Sequence, residues 1–169
     1  MQVLVTLDLP TDARAAAVML ADPAYVLEKV LASGALDQQV DVAGDAVAGF
    51  TVTIRRGLPT DAIPAHLRSF VGSRIDVRQV EVWEPADAQG SRTGTVVLEI
   101  AGAPVRLTGR VSLTALEAST SRLVYEGEIK AAVPLFGAVV EEAASEAVRA
   151  ALLVEESVAQ RWIETHPAV

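Results

Sequence analysis

The segment PLFGAVVEEAASEAVRAALLVEESVAQRWI, residues 134–163, constrains the fold more than any other part of the chain. Its apolar residues recur at helical spacing, and thirty residues at 1.5 Å each predict a helix of about 45 Å, enough to cross a small domain. Phe136, Val140, Ala143, Ala147, Ala151, Val154 and Val158 are expected on one face. Glu142, Ser145, Glu146, Arg149, Glu156 and Gln160 are expected opposite, so the helix should lie on an apolar surface. Its bulky residues gather at the two ends, while Ala143, Ala144, Ala147, Ala150 and Ala151 occupy the middle. Each methylene left unburied forgoes roughly 0.8 kcal/mol. Two packings explain such a thin waist: a sheet that closes tightly onto alanines, or a cavity that something else fills. The high helix propensity of alanine accounts for part of the choice in either case.

The rest of the chain supplies the surface. Residues 2–9 alternate Val3, Val5, Leu7 and Leu9 against Thr6 and Asp8, the pattern of a half-buried strand. Two short helices follow. The first is capped from Thr11, with Asp12 at its positive end, and the second is capped by Asp22 with Pro23 in its first turn and ends at Gly34. The period then changes to two. Strands are predicted over DQQVDVAG, AVAGFTVTIRRGL, SRIDVRQVEVWEP, RTGTVVLEIAG, PVRLTGRVSLTAL and LVYEGEIKAAV, separated by Gly-, Pro- and Ser-rich turns. A short amphipathic helix near residues 62–71 interrupts them, with Leu67, Phe70 and Val71 on its apolar side. The order strand, helix, helix, strand, strand, short helix, four strands, long helix is that of an α+β fold with an antiparallel sheet.

Composition limits the function. At 169 residues the expectation is one domain spanning 1–169. A net charge of −8 with scattered arginines argues against a nucleic-acid partner and against a polybasic membrane patch. No apolar run is long enough for stable membrane insertion. The chain has no cysteine, which removes thiolate chemistry and Cys-type zinc sites and fits a cytoplasmic protein. The N-terminus lacks the basic region of a signal peptide. With His66 and His166 as its two histidines, the chain has little material for a His-based catalytic or metal site. No cofactor motif is present: no GxGxxG, no Walker loop, no G-x-S-x-G elbow.

This order of elements, with a curved sheet ahead of a long last helix, resembles the helix-grip fold of the START-like (SRPBCC, Bet v 1-like) superfamily. In that fold the sheet wraps the last helix, and the space between them is typically a hydrophobic ligand cavity. The segments TIRRGLPTDAIPAHLRSFVG, VEVWEP, GAPVRLTGRVSL and GEIKAAVPLFGAVVEEAASEAVRAALLVEESVAQRWI are similar to a family common in actinobacteria, domain of unknown function 2505. The resemblance covers most of the chain and implies a fold and a cavity, with no assigned reaction and no cofactor.

A binder or carrier of a hydrophobic small molecule (a lipid, isoprenoid or polyketide) is therefore the leading expectation. Its ligand-binding wall would comprise Phe50, Val52, Ile54, Ile75, Val77, Trp83, Leu107, Tyr125, Phe136, Val140, Ala143 and Ala147. Tyr125 and Trp83 carry a polar tip on an apolar body, which suits them to orienting an amphipathic ligand. An enzyme of aromatase/cyclase or lyase type is the second reading, drawing on Gln79, Glu81, Glu99, Tyr125 and His66. Gln79 and Glu81 share strand parity with Ile75, Val77 and Trp83, which puts them on the cavity wall if that face is concave. A protein-interaction module using an exposed patch at Leu67, Phe70 and Val71 is the third.

Overall fold

The computed structural model describes residues 1–61 and 63–167, and for Phe70 the backbone alone. Strand β1 (Gln2–Leu9) buries Val3, Val5, Leu7 and Leu9 and turns every second residue outward. Helices α1 (Ala13–Leu20) and α2 (Pro23–Ala32) follow. Asp12 rather than Thr11 caps α1: its Oδ1 accepts from the Arg14 and Ala15 amides at 2.9 and 3.0 Å. Asp22 caps α2 by accepting from the Ala24 amide at 2.8 Å, with Pro23 in the first turn.

The chain then runs through β2 (Asp37–Asp45), β3 (Gly49–Pro59), α3 (Ala65–Val71), β4 (Arg74–Trp83), β5 (Arg92–Ile100), β6 (Val105–Glu117) and β7 (Thr120–Ala131). These strands and β1 form one seven-stranded antiparallel sheet in the order β1-β7-β6-β5-β4-β3-β2. Strands β2 to β7 pair in chain order, with α3 inserted between β3 and β4, and β1 pairs with β7 from Gln2 opposite Glu128 to Leu9 opposite Ser121. Gly109 and Gly127 face each other on β6 and β7. A Cβ on Gly109 would collide with the Glu126 carbonyl, and one on Gly127 would meet the Thr108 carbonyl at 2.8 Å. The two backbones approach more closely there than a side chain permits.

Helix α4 (Gly137–Thr165) lies against the concave face, packed on β1, β7 and α2. It begins three residues after Pro134, because Leu135 takes a positive φ of 65° that breaks helical geometry. It ends two residues past Ile163. Its buried ridge is also rotated from the expected one. Ser145, Leu152, Glu155, Val158 and Ala159 are buried, whereas Val154, expected inside, is exposed. The cause is lateral: α4 leans on the β1–β7 side of the sheet and on α2, so the residues between the apolar stripe and the expected polar face are the ones covered. The inserted helix is shorter than expected, starting at Ala65, and Ala62 lies outside the described residues.

Candidate functional site

The lean of α4 leaves space on its other flank. A cavity of about 280 Å³ lies between the helix waist and the sheet. Val140, Ala143, Ala144, Ala147, Val148 and Ala151 form its helical wall, and Ile75, Val77, Leu98, Leu107 and Ile129 form its sheet wall. Ile63, Leu67 and Val71 close one side from α3 and the loop before it. Among the described residues the wall is aliphatic apart from Arg56. A second, narrower space of about 60 Å³ adjoins it, with Arg56, Leu98, Leu107, Val148 and Ala151 common to both. Its other walls mix the polar side chains of Lys29, Gln79, Tyr125 and Glu155 with Val3, Val96 and Leu152.

At this narrow end a buried network joins five elements. The Lys29 ammonium, from α2, donates to Glu155 Oε1 on α4 at 3.0 Å and lies 3.8 Å from Glu81 Oε1 on β4. Tyr125 of β7 donates to the same Glu155 oxygen at 3.4 Å. Glu81, 1% exposed, accepts from Gln79 Nε2 at 2.7 Å and from Trp83 Nε1 at 3.1 Å. Arg56 of β3 donates from Nη2 to Gln79 Oε1 at 3.3 Å, linking the network to the apolar cavity. Burial by itself would pull Lys29 down. The charges of Glu155 and Glu81 outweigh it and hold the ammonium above its ordinary value. Arg56 moves the other way, lowered chiefly by burial. Burial, reinforced by the Glu155 and Glu81 charges, pushes Tyr125 well above 10, so its hydroxyl stays a donor.

Of the twelve wall residues expected from sequence, Ile75, Val77, Leu107, Val140, Ala143 and Ala147 line the wide cavity, and Tyr125 lines the narrow one. Phe50, Val52, Ile54 and Trp83 do not line either space. They are 3% or less exposed in solid core, where Phe50 and Trp83 stack with centroids 5.8 Å apart. That region lies under the closed part of the sheet, away from the helix waist. Phe136 is also displaced: helix α4 starts only after it, and it is 41% exposed.

Glu81, Gln79 and Tyr125 do converge, but Glu99 and His66 do not join them. Glu99 points outward between Arg78 and Arg106, at 3.7 and 3.5 Å, and His66 is exposed on α3. Leu67 and Val71 face the cavity rather than forming an exposed patch, and the Phe70 side chain lies outside the described residues. Sequence reading missed Lys29, Arg56 and Glu155. Lys29 follows Tyr25 by four positions and so shares its buried face, and Glu155 falls between Leu152 and Val158 at core spacing. Both signals were present, but each reads as a lone charge until its partner is known. Among the described residues no cluster of three or more His, Asp or Glu side chains is placed to hold a metal ion.

A curved antiparallel sheet gripping a long C-terminal helix over an apolar pocket defines the START-like, helix-grip class of α+β protein. The solved structures similar to it carry the same fold. They include the Zhui aromatase/cyclase from Streptomyces sp. R1128 (14% identity, 100% of this chain and 99% of that one, TM-score 0.63). Another is a START superfamily protein from Mycobacterium smegmatis (12% identity, 92% and 94%, TM-score 0.55). A third is norcoclaurine synthase from Thalictrum flavum in complex with dopamine and hydroxybenzaldehyde (12% identity, 100% and 89%, TM-score 0.56). Within this class the chain belongs to the family described as protein of unknown function DUF2505, whose model matches residues 4–163. No curated protein is similar enough in sequence to match it.

Proposed function

We propose that the protein binds and carries a hydrophobic small molecule of lipid, isoprenoid or polyketide type in the space beneath the α4 waist. The observation that carries this reading is the aliphatic cavity of about 280 Å³ with, among the described residues, a single charged side chain on its wall. Its size and lining are those of a small-ligand site, apolar throughout with a polar group at one end. The ligand-contacting residues are Ile75, Val77, Leu107, Val140, Ala143 and Ala147, with Tyr125 at the polar end. The solved norcoclaurine synthase complex supports the reading, since a helix-grip protein there holds two small organic molecules. The network favours carriage over catalysis. The oxygens of Glu81 and the Glu155 oxygen nearest Lys29 already accept internal donors, and Lys29 is held charged between them. The lack of cysteine supports a cytoplasmic location, and the charge of −8 supports the absence of a nucleic-acid partner. Among the described residues no helix is long and apolar enough to cross a membrane.

Titration with the neutral fluorescent hydrophobe N-phenyl-1-naphthylamine tests the proposal. The expected result is saturable binding at one site per chain. Non-saturable binding, or none, would overturn it.

A further inference from the structure

Arg56 stands where the wide apolar cavity meets the narrow polar one, and it lines both. Its guanidinium is under-used. Of five N–H donors, one has an acceptor among the described residues, the Nη2 bond to Gln79 at 3.3 Å. Nε is shut away from solvent with no partner among the described residues. The two buried carboxylates that might have taken it are engaged by Lys29 instead. Such a donor group at the end of an aliphatic cavity is a recognition element for an acceptor on the ligand.

The charges of the network specify which acceptor. Lys29 and Arg56 supply two positive charges, and Glu81 and Glu155 supply two negative ones. Glu81 receives a donor on each oxygen, and Glu155 receives both Lys29 and Tyr125 on Oε1. The formal charges of these four side chains balance. A ligand carboxylate would leave one net negative charge against aliphatic walls, which is unfavourable, whereas an uncharged oxygen satisfies the guanidinium without disturbing the balance. We propose that the ligand is an apolar chain or ring system bearing an uncharged carbonyl-type oxygen, which accepts a hydrogen bond from Arg56 while the apolar part lies along the α4 waist. This rests on the carrier reading above and narrows it to neutral ketones, aldehydes or esters in preference to fatty acids.

Competition against bound N-phenyl-1-naphthylamine with butylbenzene, butyrophenone and 4-phenylbutyrate, matched in size, tests it at neutral pH. Butyrophenone is expected to bind about tenfold more tightly than either of the others, the effect of one well-formed hydrogen bond. In the double variant Arg56→Met/Glu81→Gln, which keeps the formal charges balanced, butyrophenone and butylbenzene should bind within about twofold of each other. Equal or tighter binding of 4-phenylbutyrate would overturn the inference, as would a ketone preference that survives in the double variant. The wild-type comparison decides the matter alone if that variant does not fold. Failure of the naphthylamine itself to bind would remove the carrier reading. Naphthylamine binding without a ketone advantage would remove only this narrower inference.

Discussion

Lys29 is 7% exposed and lies between two carboxylates contributed by other elements, one of them 126 positions away in sequence. Removing one partner from a buried ionic cluster costs far more than the cluster contributes, because the remaining charges lose their compensation. Lys29→Met should destabilise the fold by about 3–5 kcal/mol in urea unfolding, and the double variant Lys29→Met/Glu155→Met should recover much of that loss. The pH dependence follows from the same residues. The folded chain holds the Lys29 proton above its ordinary value of 10.5, so this contribution is fully present below that value and is lost as pH rises through the raised one. Tyr125, raised well above 10.0, acts in the same direction, since the unfolded chain gives up that proton first. Stability should therefore fall with rising pH above about 10, and Tyr125→Phe should make the fall shallower in urea melts. Leu135 is a separate case. It is 98% exposed at a φ of 65°, so its side chain contributes no burial to offset left-handed backbone strain. Leu135→Asn should stabilise by about 0.5–1 kcal/mol. Strand parity placed Gln79, Glu81 and Tyr125 correctly, because a period of two leaves each residue only two faces. It had no means of pairing Lys29 with Glu155, since that pairing exists only once α2 and α4 meet.

The elements follow their local signals closely where one principle dominates. Asp22–Pro23 starts α2, and β1 alternates without exception. They depart where tertiary packing competes. The apolar stripe of α4 was read with Val154 inside, yet packing against β1, β7 and α2 buries Ser145 and Glu155 instead and turns the alanines toward the cavity. A helix lined by small residues specifies its rotation weakly, because several faces bury similar area. That same wall offers a direct test of the cavity. Ala147→Phe should weaken N-phenyl-1-naphthylamine binding at least tenfold, by occupying its space, while the thermal midpoint stays the same or rises. Close approach of β6 and β7 depends on another small-residue position. Gly109→Ala forces a Cβ against the Glu126 carbonyl of the neighbouring strand and should cost about 1–3 kcal/mol, read by chemical denaturation.

For the molecule as a whole, closure of β1 onto β7 and the docking of α4 across both create one side of tight packing and one of open space. The order of elements made the helix-grip architecture legible, because hairpin-joined strands followed by a single long helix leave few ways to bury both. The existence of the cavity was not legible. Alanines at the waist are equally compatible with a sheet that closes onto them, and only the lateral position of α4 separates the two. The same ambiguity explains why Phe50, Val52, Ile54 and Trp83 were expected on the ligand wall. They do face inward, but into the closed half of the core. The central claim is that the α4 waist is one wall of a ligand site, and NMR of protein labelled at its alanine methyl groups tests it most directly. On addition of N-phenyl-1-naphthylamine, the Ala143, Ala144, Ala147 and Ala151 methyls should shift together and saturate at one equivalent, while the α1 methyls of Ala16 and Ala17 stay fixed. Unmoved waist methyls, or shifts spread over surface alanines, would contradict it.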